Sequence, residues 1–275
     1  MSESSLLAFG LIIGFVAYLL LYIGKGLQKY SIEGLKVDKT VKSKHSGIWI
    51  FGTILTSIYM FVQWGALLFA PINLIAPLEG VGLIVLLLFS YYILKEAIAR
   101  IEIIGVVLII FGIIFVTLFN INTGTISISD FNLGSFLVFL IPVFSIEAIA
   151  IIGSHLNDYK FAGLILGLTA GSCQAFQTVS KRITAVADPL ITTAFTFVTF
   201  LMATLTLLIT QYGLAKANAN IVVPCFTSAS VTLAILVGIV SLSETIHIMQ
   251  IIGIIGVIVG MIFLTAFKEE IKSES

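Results

Sequence analysis

The sequence predicts an all-α fold, a polytopic membrane bundle of nine transmembrane helices, with two inverted repeats (spans 1–4 and 6–9) around span 5. Three observations predict it. The first is composition: of 275 residues, 59% are hydrophobic and 10% charged, with mean hydropathy +1.16, whereas soluble domains run near half apolar and a quarter charged. That excess cannot all hide inside one water-soluble core of this size, which excludes a soluble enzyme, a nucleic-acid binder and a disordered scaffold. The second is a series of apolar segments of spanning length. The third is internal repetition.

A transmembrane helix needs roughly 20 mostly apolar residues. By that ruler the spans are 6–24, 47–69, 71–94, 101–119, 134–153, 161–180, 189–212, 219–243 and 246–267. Span 1 has no basic leading region and no small-residue cleavage site, so it reads as a membrane helix rather than a cleaved signal peptide. Span 2 carries Gln63. Span 3 opens on Pro71 and Pro77. Span 5 contains Pro142 and Glu147, span 6 Gln174 and Gln177. Span 8 contains Pro224. All are too long and too uniformly apolar for barrel strands. The chain divides as one membrane domain over 1–275: a first repeat 1–119, a linking helix 134–153, a second repeat 161–267 and a tail 268–275.

Lysine and arginine distribution sets orientation. With the N-terminus outside, the inside connections hold twelve Lys and Arg and the outside ones only Lys181 and Arg182. The stretch from Lys25 to Ser46 is then a cytoplasmic loop that fixes topology. Net charge is zero, so no polyanionic partner is implied. Cys173 and Cys225 form neither a disulfide framework nor a metal-spaced cluster.

The repeat appears when the chain is shifted against itself by 148 residues. Residues 94–119 fall on 242–267 without a gap, with twelve of 26 positions identical, among them Glu96/Glu244, Gly105/Gly253 and Gly112/Gly260. Gly10–Gly14 similarly matches Gly163–Gly167. The copies are offset by five helices, an odd number, so the second must be upside down in the membrane. Inverted repeats of this kind build many secondary transporters, with the substrate site near the midplane. Pro71 and Pro77 against Pro224 read as paired interruptions of spans 3 and 8, another pointer to that site; a plain packing kink is the other reading.

Ionisable residues at membrane depth are functional by default. Two acids are clearly inside spans, Glu79 and Glu147, and by these boundaries no Lys or Arg stands at comparable depth. A carboxylate so placed takes up a proton, binds a cation, or is a neutral carboxyl bonded to a neighbouring helix. Neutral oxygen donors accompany them: Gln63, Asn73, Gln174 and Gln177, then Asn218, Asn220, Thr227, Ser228, Ser230 and Thr232 around span 8. Such a set suits a partly hydrated Mg²⁺ or a polar metabolite. Glu96 and Glu244 each precede a helix and read as structural acids at its N-terminal end. His45, His155 and His247 have no ligand spacing. The absence of a phosphate-binding glycine loop argues against ATP-driven pumping by this chain.

The run Ala70-Pro71, Asn73, Leu74 to Leu78, then a helix ending in Lys95-Glu96 and a glycine-spaced helix, resembles the drug/metabolite transporter superfamily, which includes the EamA-type exporters. The likeness covers nearly the whole chain. Within that superfamily the nine-span count and residues 64–96 are most similar to the NIPA-like magnesium transporters, through Ala70-Pro71, Ala76-Pro77-Leu78 and Glu96. Gly24-Lys25-Gly26-Leu27 and residues 211–217 fit that family loosely. The resemblance implies a ten-helix-type fold of two five-helix repeats, here lacking the last helix. Two places depart from it. Met60 and Gln63 stand where that family has an acid and an Asn, and Glu79 stands where it tends to have glycine.

The expectation is therefore a secondary transporter or permease working by alternating access. Its solute would be Mg²⁺ or another divalent cation; the alternative is an EamA-type, proton-coupled exporter of a small metabolite or amino acid. Glu79 and Glu147 are the expected metal or proton ligands, and Gln63, Asn73, Gln174 and Gln177 the supporting substrate contacts. Spans 1, 2, 3, 5, 6 and 8 should line the centre. The chain is not expected to be an enzyme, and no cofactor is expected, Mg²⁺ entering only as substrate. Expected partners are the lipid bilayer and a small solute or cation, with no nucleic acid and room for a homodimer. The expected location is the cell membrane, N-terminus outside and C-terminus cytoplasmic.

Overall fold

A computed structural model describes residues 3–37, 42–93, 99–120, 131–159, 161–185, 187–216 and 219–265. Glu96, Asn218, residues 121–130 and the tail 268–275 lie outside the described residues. All regular structure within them is helical: α1 (Glu3–Val37), α2 (Lys42–Phe69), α3 (Ile72–Ile75), α4 (Glu79–Tyr92), α5 (Arg100–Leu118), α6 (Leu133–Leu156), α7 (Ala162–Thr184), α8 (Pro189–Lys216), α9 (Ala219–Leu242) and α10 (Ile248–Thr265). A 3₁₀ turn, Ala76–Leu78, joins α3 to α4. Seven helical stretches are long and apolar enough to cross a membrane. Large side chains such as Leu190 (83% exposed), Phe197 and Ile149 cover the outside. Water would not tolerate so much apolar surface, whereas lipid does, and the chain is a multi-pass helical membrane protein.

Helix α1 lies against α2 and α4, α7 against α8 and α9, and α5 against α10. Three of these crossings bring glycine against backbone, and in α1–α2 and α5–α10 glycines face each other, whereas on α7 Gly171 meets the Phe226 carbonyl of α9. A Cβ on Gly24 would come within 2.7 Å of the Gly52 carbonyl oxygen, and one on Gly52 equally close to that of Gly24. Between α5 and α10, a Cβ on Gly253 would stand 2.7 Å from the Gly112 carbonyl, and one on Gly260 2.6 Å from that of Gly105. Glycine is required there because any side chain would push the helices apart.

The helices that open on these crossings are capped alike. Glu102 accepts from the Ala99 amide at 2.6 Å, and Gln250 accepts from the His247 amide at 2.9 Å, each reaching back three residues. This is the reach-back half of a capping box. The acid that serves the start of α5 is thus Glu102.

Four elements differ from the sequence reading. The segment from Lys25 onward is not a loop: α1 continues through it to Val37, and α2 begins at Lys42. Lys, Gln, Glu and Leu are good helix formers, so the helix outlasts the apolar stretch. Ser31 Oγ donates to the His45 carbonyl, and Gln28 Nε2 to Thr53 Oγ1 at 3.0 Å, closing this hairpin. Span 6 likewise does not stop at Ser180, since α7 carries Lys181 and Arg182 inside it. Of the two proline interruptions, only the first breaks a helix. Pro71 precedes α3 in extended conformation (φ −69°, ψ 161°) and Pro77 sits in the 3₁₀ turn, while α9 runs unbroken past Pro224. Pro224, the sixth residue of α9, removes one backbone donor without ending the helix. Finally α6, expected at the centre, is peripheral: Phe136 and Ser154 are its buried residues.

Candidate functional site

The core of the bundle is polar, and helical spacing builds it. On α1, Tyr18, Tyr22 and Lys25 are four and three residues apart and share one face. On α2, Tyr59 and Gln63 are four apart. On α7, Gln174, Thr178 and Lys181 repeat the same spacing. Glu79 opens α4 directly after the Pro77 turn, and Ser230 faces it from α9.

Glu79 is 1% exposed. Ser230 Oγ donates to its Oε2 at 2.9 Å and Tyr22 OH to its Oε1 at 3.2 Å. Lys25 is its electrostatic counterpart, with the ammonium 4.0 Å from the ring centre of Phe226 and 4.8 Å from that of Tyr22. The field of Glu79 also reaches Tyr18 and Tyr59. These two rings lie 5.7 Å apart and lead to a second group. Gln63 Nε2 donates to Tyr18 OH at 3.0 Å and lies 3.5 Å from Thr178 Oγ1. Gln174 Nε2 donates to Tyr59 OH at 2.5 Å. Lys181 Nζ donates to Gln63 Oε1 at 2.7 Å and lies 5.3 Å from the Tyr59 ring centre.

Of the residues expected from sequence, the structure therefore brings together Glu79, Gln63 and Gln174. Gln177 is buried on α7, but no hydrogen bond among the described residues ties it to this network. Asn73 lies elsewhere: its amide N–H approaches Glu244 at 3.3 Å, its side chain donates to the Thr245 carbonyl at 3.4 Å, and its own Oδ1 is buried without a partner. Glu147 is on outlying α6, half-buried, accepting from Ser172 Oγ at 2.5 Å. The two expected metal ligands, Glu79 and Glu147, share no partner. Among the described residues, no three His, Cys, Asp or Glu side chains gather as a metal site.

The expectation that no cation lies at the depth of Glu79 is corrected. Lys25, Lys181 and Arg182 are all in helices of the core, because helix boundaries set by hydropathy stop at the first charge and the folded helices do not. These cations and the three tyrosines are what sequence reasoning missed. The signal was present: 18/22/25 and 174/178/181 are helix-face spacings. Glu244 is corrected too. It serves not its own following helix but the start of α3, accepting from the Ile72 amide at 2.9 Å. A scan of protein-family models and searches of curated proteins and of solved structures find nothing that matches the chain.

Chemically, the core offers one carboxylate, three phenols, two primary amides and two amines, with aromatic faces between them. It holds no nucleophile–base pair among the described residues. Such a set can hydrogen-bond polar groups and meet charge.

Proposed function

We propose that the chain is a secondary transporter or permease that moves a small polar organic solute by alternating access, with the Glu79 network as its binding site. The observation that carries this reading is the enclosure of Glu79 and Lys181, with Lys25 half-buried near Glu79, among hydroxyl and amide partners at the meeting of α1, α2, α4, α7 and α9. Ionisable groups buried in a membrane bundle are costly and serve passage or coupling.

The repeat supports the same reading. Residues 99 and 102 stand 148 before 247 and 250, and both pairs make the same reach-back cap. Gly112 meets Gly253, and Gly105 meets Gly260; exchanging the two copies turns one contact into the other. The packing of α1 on α2 and α4 parallels that of α7 on α8 and α9. This favours nine spans in two inverted repeats about α6, with α7 a span shielded from lipid by its neighbours. Membership of the drug/metabolite transporter superfamily fits this architecture. The N-terminus outside and the C-terminus in the cytoplasm of a cell membrane remain favoured, since moving Lys25, Lys181 and Arg182 out of the loops leaves the charge asymmetry in the same direction.

Mg²⁺ is the second reading, favoured by the oxygen donors around Glu79. Against it, Lys25 already counters that carboxylate, and Glu147 stands on another element. Counterflow by the full chain in proteoliposomes tests the proposal. Saturable exchange of an organic solute, lost in Glu79→Gln, is the expected result. Saturable Mg²⁺ uptake lost in the same variant would move the reading to a divalent cation, and no flux of either class would overturn transport.

A further inference from the structure

We infer that the buried amine of Lys181 is an anion subsite and that the solute carried is a small organic carboxylate; this rests on the transport reading. Three cations occupy the core. Lys25 lies in the field of Glu79, with Tyr22 touching both, and Arg182 faces Glu244, with Nε 3.8 Å from Oε1. Lys181, 0% exposed, meets Gln63 Oε1 and the face of Tyr59 and no carboxylate among the described residues. A buried ammonium is tolerated only when paired and hydrogen-bonded. Lys181 is therefore a core amine for which the described residues supply no anion, and an incoming anion would hold it as the ammonium.

The surroundings specify what would complete it. Gln63 Oε1, a neutral carbonyl oxygen 2.7 Å from Nζ, holds the place where a carboxylate oxygen would make a stronger, charge-assisted bond. When a carboxylate displaces it, the Gln63 amide can turn its N–H₂ toward the second oxygen. Tyr18 and Tyr59 offer ring faces to an organic body. A single uncompensated charge matches a monoanion. A phosphate, with about 1.5 to 2 negative charges near neutrality, would need a second cation. Arg182 does not supply it, being engaged by the Leu67 carbonyl at 2.5 Å as well as Glu244.

The test uses the full chain purified in detergent, with its thermal midpoint followed against pyruvate, propionate, inorganic phosphate, choline and glycerol at fixed ionic strength. The two carboxylates should raise the midpoint saturably and the other three should not. Lys181→Met should weaken that response by about tenfold or more, the scale of a lost charge-assisted bond, and Lys181→Arg should keep part of it. The midpoint of each variant without additive reports whether it folds, and Lys181→Arg carries the test if Lys181→Met does not fold. An equal response in Lys181→Met, no carboxylate response in wild type, or a response greater with phosphate, choline or glycerol overturns the inference. Counterflow separates it from the reading beneath it. Exchange of labelled choline or glycerol but not pyruvate overturns the carboxylate subsite and keeps transport. Lys181-dependent carboxylate binding with no flux of any probe keeps the subsite and overturns transport.

Discussion

Arg182 and Glu244 together hold both sides of the Pro71 break. Arg182 donates through NH1 to the Leu67 carbonyl in the last turn of α2, and Glu244 accepts from the Ile72 and Asn73 amides that open α3. Between them run 3.8 Å from Nε to Oε1, with both side chains at or below 2% exposure. Helix ends leave carbonyls and amides without partners. Here one cation and one anion, contributed by the second half of the chain, satisfy both.

Glu244→Gln should therefore destabilise the whole bundle. The amide retains one acceptor for α3 but leaves the guanidinium without its counter-charge. Breaking a buried pair from one side costs about 3 kcal/mol or somewhat more, read as a lower thermal midpoint of the purified protein. Combining it with Arg182→Gln should cost less than the sum of the two single changes, because the unpaired charge is then gone. A strictly additive double variant would rule out the coupling.

The α5–α10 crossing makes a second stability prediction. Gly112→Val would drive its Cβ into the carbonyl of Gly253, backbone that cannot step aside. Overpacking of this kind costs about 1–3 kcal/mol or more, so the variant should lose thermal stability or fail to yield monodisperse protein. Gly65→Ala is the matched control. Nothing stands within 4 Å of its added Cβ, and alanine gains up to about 1 kcal/mol in a helix, so its midpoint should hold or rise.

Gly82→Ala should reach the site without touching Glu79. The added Cβ would overlap the Tyr22 ring, with Cε2 at 2.5 Å. Tyr22 is fully buried and has nowhere to retreat except away from α4, breaking its hydroxyl bond to Glu79. The expected outcome is a fall of about tenfold in exchange rate, the size of a lost hydrogen bond to a charged group, with Tyr22→Phe giving a similar loss. Normal exchange in Gly82→Ala beside a loss in Tyr22→Phe would mean that the ring shifts without leaving Glu79.

The membrane class, the run of helices and the depth of Glu79 were legible in the sequence because apolar runs and Pro71–Pro77 are local signals. Gln63 and Gln174 were legible as polar residues in apolar segments. The cations were not. A hydropathy ruler ends span 1 at Gly24 and span 6 at Ser180, one residue short of Lys25 and Lys181 in each case, and then counts these residues as loop charges. What surrounds them is tertiary: Glu79, Gln63 and the rings of Phe226 and Tyr59 lie on other elements, 54 to 118 residues away in the case of Lys25–Glu79 and Lys181–Gln63. Glu147 shows the opposite error. Its depth along a span was readable, but not which side of its helix faces the core.

That contrast between the two acids makes the last prediction. Glu79 is enclosed, bonded to Tyr22 and Ser230 and coupled to Lys25. Among the described residues Glu147 has one hydrogen-bond partner, Ser172 of α7, and its Oε2 is buried without one, while its own helix α6 presents Ile146 and Ile149 outward. Glu79→Gln removes the charge that Lys25 faces, and one Nε2 must now meet the Ser230 or Tyr22 hydroxyl that donated to an oxygen. Exchange should fall by at least about tenfold, as when a buried charged bond is lost. Glu147→Gln keeps an acceptor for Ser172 and exchanges a half-buried charge for a neutral amide. Its exchange rate should stay within about twofold of wild type, and its thermal midpoint should hold or rise, because an unsatisfied carboxylate oxygen is costlier than an amide. Equal losses in both variants would place Glu147 on the solute's route and α6 at the centre of the working protein.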